Sequence, residues 1–194
     1  PDASVDAVQE IGMNAPREIS TLSGLAQPDI AVITRIADSH AGFFDSLDDI
    51  ADAKAEIFDG LRDGGTAILN RDDDYFDRLA DRARDAGAAA IISFGTSGDA
   101  DFRLVGTDGN EDGMLVNAEI RGKPMAFALG MRGVHWAMNA MAMLAVCECL
   151  GHNVAGAAGR LASFANLPGR GAISSGKFDG TAITLIDDSY NAGP

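Results

Sequence analysis

The 194 residues carry 15 lysines and arginines against 29 aspartates and glutamates, a formal charge of −14. That balance excludes a protein that grips nucleic acid or an anionic membrane through a broad basic surface, and a hydrophobic fraction of 46% excludes wholesale disorder. No apolar run approaches the roughly 18 residues of a membrane-spanning helix, and the first residues, Pro1 to Asp6, lack the basic and apolar regions of a secretory leader, so a cytoplasmic chain with no membrane insertion is expected.

The apolar run Val5 to Ile11 reads as a first strand, broken by Asn14-Ala15-Pro16. Arg17 to Ala26 places Ile19, Leu22 and Leu25 at helical spacing. Ile30 to Thr34 is a continuous β-prone run of the kind buried on both faces. Ser46 with Asp49 three residues on is a capping-box-like helix start, and the helix should run to about Leu61 before Gly64-Gly65. Thr66 to Leu69 is a strand, Asp73 to Ala86 a charged helix and Ala89 to Phe94 a strand. This alternation predicts an α/β fold, a mostly parallel sheet with crossover helices over about residues 1–95. Phe102 to Thr107, Met114 to Ile120 and Met125 to Leu129 then read as a small antiparallel meander over about 100–130, with turns at Asp108-Gly109-Asn110 and Arg121-Gly122-Lys123-Pro124. Val134 to Leu150 is apolar nearly all round and predicts a buried helix. Val154 to Phe164 is another helix, and Ile173 to Phe178 with Thr181 to Ile186 a hairpin; residues 131–188 form this helical and hairpin part, and 189–194 the start of a linker. One domain accounts for the whole length.

Lys54 stands out from its pattern. The stripe Leu47, Ile50, Lys54, Ile57, Phe58, Leu61 makes one buried helix face. A lysine there must snorkel toward a carboxylate such as Asp49 or Asp52, pair, or be chemically modified. Glu10 closes the first apolar run and His40 lies just beyond the second. Ligands of open parallel sheets collect outside the carboxyl ends of the strands, so a carboxylate and an imidazole at neighbouring strand ends could share a divalent metal. His135 and Asn139 sit four apart at the start of a helix preceded by Gly130 and Gly133, where a nucleotide or phosphate can approach closely. Leu167-Pro168-Gly169-Arg170 presents an arginine suited to phosphate, and Asp187-Asp188 ends a strand. Each of these residues also has an ordinary reading as a solvated loop or capping residue. Cys147 and Cys149, two apart on a helix, suit neither a disulfide nor a shared metal and read as buried thiols of a reducing compartment. The sequence contains no Gly-x-x-x-x-Gly-Lys-Ser/Thr loop, no Cys-x-x-Cys pair and no Gly-x-Ser-x-Gly elbow.

Taken in order, these blocks resemble the central domain of the Mur ligases. The resemblance is carried by Glu10 to Ile19, His40 through Ala53-Lys54-Ala55-Glu56, Asn70-Arg71-Asp72, Gly133-Val134-His135 to Asn139, Leu167 to Arg170, and Asp187-Asp188-Ser189-Tyr190-Asn191-Ala192. It is strongest to the branch that joins D-alanyl-D-alanine to UDP-N-acetylmuramoyl tripeptide. The resemblance implies an ATP- and Mg²⁺-dependent, amide-forming ligase of peptidoglycan precursor synthesis, with ATP and those two compounds as substrates. It implies a metal set of Glu10, His40 and Lys54, the lysine being carbamylated and catalytic, and a nucleotide site of Asn70, His135, Asn139, Arg170 and Asp188. It further implies N-terminal and C-terminal domains of the same protein as partners, and little ATP affinity or ligase activity in this chain by itself, because the phosphate-binding loop is absent from it. The residues alone also admit a non-catalytic α/β nucleotide-binding or interaction module, and folylpolyglutamate synthetase shares the central-domain plan; the Asp187-to-Ala192 block favours the peptidoglycan branch.

Overall fold

The structure is a computed structural model that describes residues 6–37, 44–110, 113–165, 169, 172–187 and 189–190. Six strands form one sheet in strictly sequential order: β1 (Ile30–Ile33), β2 (Thr66–Asn70), β3 (Ala90–Gly95), β4 (Phe102–Asn110), β5 (Gly113–Ile120) and β6 (Lys123–Leu129). β1 and β2 are parallel, Ile30 facing Thr66 and Ile33 facing Leu69. β3 and β4 are also parallel, and β4, β5 and β6 are antiparallel. The α/β class, the parallel part and the antiparallel meander are therefore as expected. Among the described residues no helix is long and apolar enough to cross a membrane.

By compactness the chain divides into two units, residues 1–69 with 73–91, and residues 70–72 with 92–194. In the first unit, helices α1 (Glu18–Ala26), α2 (Leu47–Ala55) and α3 (Phe76–Asp85) accompany β1 and β2. Ala31, Ile33, Ile50, Phe58, Leu69, Leu79 and Ala83 form its core, each large side chain contributing about 1.5–3 kcal/mol by leaving water. Ser46 caps α2 as its sequence predicts, Oγ accepting the Asp49 N–H at 3.2 Å. The helix does not continue to Leu61. Residues Glu56–Gly60 wind more tightly, as a 3-10 turn, whose Gly60 lies directly against the Ser23 backbone of α1. On the outer side of α2, Arg78 of α3 pairs with both Asp48 at 3.1 Å and Asp52 at 2.7 Å, and the Tyr75 hydroxyl donates to Asp48.

In the second unit the meander packs with α4 (Val134–Cys149), whose Ala137, Met141, Leu144 and Ala145 are fully covered. Arg121, in the turn between β5 and β6, bridges Asp101 and Glu148. α5 (Val154–Arg160) and a 3-10 turn (Leu161–Ser163) take the place of one continuous helix to Phe164. The hairpin β7 (Ala172–Phe178) and β8 (Thr181–Asp187) forms a separate two-stranded sheet.

Three further expectations need correction. Residues 6–11 form no strand; Val8 is 90% exposed. An extended segment becomes a strand only when a neighbour takes up its backbone groups, and among the described residues β1, at the end of the strand order, is paired only with β2. Asp108-Gly109-Asn110 is not a turn but the end of β4, paired with Leu115, Met114 and Gly113; cross-strand packing overrides the turn propensity of those residues. Cys147 and Cys149 are half-buried rather than buried, because they lie in the last turn of α4, where its packed face ends. Neither forms a disulfide among the described residues, and burial pushes the Cys149 thiol upward.

Candidate functional site

Lys54 is half-buried on α2, and its Nζ donates to the Arg35 carbonyl at 2.9 Å. Arg35 lies two residues beyond the carboxyl end of β1. Asp73, three residues beyond β2, is the anionic group that Lys54 senses. The Asp73 carboxylate itself accepts the Ile36 N–H at 2.7 Å and the Tyr75 N–H at 2.9 Å. The amine therefore stands where the two parallel strands end, which is where the sheet rule places ligands. The carboxylates expected as snorkelling partners are engaged elsewhere, Asp52 by Arg78 and Asp49 by Ser46. The Asp72-Asp73-Asp74 run directly after a strand was the sequence signal for Asp73; nothing in the sequence signals a backbone carbonyl as the lysine's acceptor.

Burial holds the Lys54 ammonium below the usual lysine range, and the nearby Asp73 opposes that shift without cancelling it. The sign of the consequence is definite. The folded protein binds this proton less tightly than the unfolded chain, whose lysine titrates near 10.5. In the window below that value the unfolded state holds more protons, so the contribution of Lys54 to stability rises with pH. Urea unfolding of the parent and Lys54→Met from neutral pH upward should show the difference moving in the parent's favour. A difference that stays flat, or moves toward the variant, contradicts the burial of the charge.

Glu10 is exposed and lines a shallow concavity with Gln9, Ile11, Leu22, Leu25 and Ala26, beside α1. His40 lies outside the described residues. Among the described residues, no group of three or more histidine, cysteine, aspartate or glutamate side chains is gathered to hold a metal ion. An ammonium donor such as Lys54 is no ligand in its present form.

The other candidates belong to the second unit. Asn70, half-buried at the end of β2, accepts the Asp72 N–H through Oδ1 at 3.0 Å. His135 and Asn139 are exposed on one face at the start of α4. The His135 ring folds back over Gly133: a Cβ there would stand 2.6 Å from Cε1, and Gly133 has φ 113°, a backbone that favours glycine. The Trp136 ring lies 5.3 Å from that of His135, tilted by 46°. Arg170 and Asp188 lie outside the described residues, but the residues beside them are held together. The Asp187 carboxylate accepts the Gly169 N–H at 3.1 Å and both the N–H and hydroxyl of Ser189. The Tyr190 N–H donates to the Gly169 carbonyl at 2.8 Å. The Ser189 hydroxyl and the backbone donors keep the Asp187 carboxyl below the usual carboxylate range.

Comparison with known proteins identifies the family. A family model described as the Mur ligase middle domain matches residues 3–147. The chain is 34% identical over 194 residues to the UDP-N-acetylmuramoyl-tripeptide–D-alanyl-D-alanine ligase of Bacillus subtilis (strain 168), covering 100% of this chain and 40% of that protein. It is 31% identical over 188 residues to the enzyme of that name from Rickettsia prowazekii (strain Madrid E), covering 97% and 41%. Among solved structures, MurF from Acinetobacter baumannii superposes with a TM-score of 0.83 at 26% identity, over 94% of this chain and 38% of that one. MurF from Thermotoga maritima, solved in complex with ADP, gives 0.77 at 26% identity over 92% and 39%. The chain thus spans about two fifths of the length of these relatives. A family model that matches residues 3–147 and relatives matched along nearly the whole chain settle the kinship: this chain belongs to the Mur ligase family, and most of it is that family's middle domain.

Proposed function

We propose that the chain is the nucleotide-handling part of an ATP-dependent ligase that joins D-alanyl-D-alanine to UDP-N-acetylmuramoyl tripeptide in the cytoplasm. The observation that carries this reading is the desolvated Lys54 amine at the carboxyl ends of β1 and β2. In the proposed reaction a carboxylate oxygen of the tripeptide attacks the γ-phosphorus of ATP, the bond to ADP breaks, and an acyl phosphate forms. The amine of D-alanyl-D-alanine then attacks the acyl carbon, loses its proton, and phosphate leaves from the tetrahedral intermediate. Asn70, His135 and Asn139 are proposed to hold the adenine, Arg170 the phosphates and Asp188 the ribose. Glu10, His40 and Lys54, the last as its carbamate, are the proposed Mg²⁺ ligands. Carbamylation would exchange a costly half-buried cation for an anion able to ligate metal. Mg²⁺ would neutralise phosphate charge as the γ-phosphoryl group transfers.

Domains on either side of the middle domain are proposed to supply the UDP-sugar site and the incoming amine site, in keeping with the share of the relatives that this chain covers. The sequence holds no Gly-x-x-x-x-Gly-Lys-Ser/Thr loop, the element whose amides and lysine cradle the β- and γ-phosphates. The 194 residues alone are therefore expected to bind ATP weakly and to turn over none. The assay is phosphate release by the intact ligase. Release that requires both UDP-muramoyl tripeptide and D-alanyl-D-alanine supports the reading. Release with the dipeptide omitted, or with a folate and glutamate instead, overturns it.

A further inference from the structure

The pairing of β1 with β2 ends at Ile33, which faces Leu69, so the backbone just beyond must find partners outside the sheet. The peptide between Arg35 and Ile36 finds both in side chains. Its carbonyl accepts Lys54 Nζ of α2 at 2.9 Å, and its N–H, on the buried Ile36, donates to Asp73 Oδ2 at 2.7 Å. Lys54 and Asp73 thus grip opposite ends of one rigid unit. Among the described residues no hydrogen bond or ion pair joins the two side chains directly. A trans peptide is planar, with its C=O and N–H pointing in opposite directions, so whatever aims the N–H aims the carbonyl as well. A carboxylate acceptor also polarises the amide and strengthens the bond that its carbonyl accepts. Asp73 is itself anchored at the start of α3. Its Oδ1 accepts the Tyr75 N–H at 2.9 Å, and its backbone carbonyl accepts the Phe76 N–H at 2.9 Å.

We propose that Asp73 is the positioning residue for Lys54: by holding the Ile36 N–H it turns the Arg35 carbonyl toward α2, and so fixes where the Lys54 amine stands at the carboxyl end of β1. This deepens, and rests on, the reading of Lys54 as the residue that carries the carbamate. In carbamylation the lone pair of the neutral amine adds to the carbon of CO₂, one carbon–oxygen π bond becomes the second carboxylate oxygen, and one proton leaves to solvent. The carbamate nitrogen keeps one N–H, a donor that the Arg35 carbonyl can still accept, so one clamp serves both forms. Asp73→Ser separates this role from that of a turn residue. Its hydroxyl can still accept the Tyr75 N–H two residues on, but it is uncharged and too short to hold Ile36.

The test is ¹³C relaxation of the lysine ε-carbons in the 194-residue chain, whose three lysines are Lys54, Lys123 and Lys177. Lys123 and Lys177 are exposed and serve as internal references, and the Lys54 signal is the one missing from Lys54→Met. In the parent the Lys54 order parameter should stand well above theirs, and in Asp73→Ser it should fall to their level. The Ile36 amide proton should move upfield as its carboxylate acceptor is lost, while the backbone amides of Ile50 and Leu69 keep their parent order. A parent Lys54 no more ordered than Lys123 and Lys177 overturns the proposal with no variant needed. So does Lys54 order that survives Asp73→Ser, and so does an equal loss at Ile50 and Leu69, which would make Asp73 a scaffold residue only. Asp73→Asn, which exchanges one acceptor oxygen for an NH₂ group, is the second variant and decides by the same criteria should Asp73→Ser not fold. Failure of the reading of Lys54 shows elsewhere, as an intact Lys54→Met ligase at the parent rate, whereas a failed clamp shows in the order parameter with no ATP, metal or substrate present.

Discussion

Lys54→Met in the intact ligase is expected to lower the rate of amide formation by at least about a hundredfold while the melting temperature barely moves. The two effects separate because the side chain contributes to them through different atoms. Methionine keeps most of the apolar stem that lies along α2. It gives up the hydrogen bond to the Arg35 carbonyl but also removes a charge that burial disfavours. Asp73 is not orphaned, since the Ile36 and Tyr75 amides still donate to it. The rate falls because the proposed carbamate needs an amine, and losing a metal ligand removes several kcal/mol of transition-state stabilisation. Bicarbonate should not rescue the methionine variant. Lys54→Ala leaves space in which a short carboxylate supplied in the buffer should restore part of the rate. A Lys54→Met enzyme within about twofold of the parent would reject the role.

Gly60→Ala should be the most damaging small change to stability. A Cβ at position 60 would overlap both the carbonyl carbon and the carbonyl oxygen of Ser23. Ser23 is fully buried, and its hydroxyl donates to the Ile57 carbonyl. The clash is with backbone on one side and a tight 3-10 turn on the other, so no rotamer change relieves it. A cost of about 3 kcal/mol follows, which for a chain of this size lowers the melting temperature by about 6–12 °C. Gly24→Ala is the matched control. It lies in α1 with nothing within 4 Å of its Cβ position, and should be neutral or stabilising by up to about 1 kcal/mol. A Gly60→Ala protein that melts within 2 °C of the parent, roughly the shift of half a kcal/mol, would show that the α1 contact is loose.

Much of the site's location was legible because it depends on where strands end. Ile30–Ile33 and Thr66–Asn70 are recognisable from β-prone runs, and the residues that follow them are automatically at the carboxyl edge of a parallel sheet. Lys54 was legible as an interruption of an apolar stripe. Its acceptor was not, because a carbonyl has no residue type and Arg35 lies 19 residues away in the chain. Asp72 was legible as the end of the Asn70-Arg71-Asp72 block and Asp73 as the start of a charged helix, but their different uses were not. One clamps the turn after β3 and the other holds the Ile36 and Tyr75 amides. Those assignments depend on which backbone donors arrive from distant segments.

The sequence by itself determined the order of elements and which faces they bury. Hydrophobic period, the Ser46 cap and the breaking glycines act over a few residues, and their energetics do not await the rest of the fold. Tertiary structure alone decided three things. Residues 6–11 stayed outside the sheet, since a strand exists only when a neighbour pairs with it. Residues 56–60 tightened into a 3-10 turn at the close approach of Gly60 to Ser23. Lys54 received a carbonyl and an aspartate in place of the carboxylates on its own helix, because Arg78 and Ser46 had already engaged them. In each case the deciding interaction joins residues far apart in the chain, and no local pattern encodes such a partner.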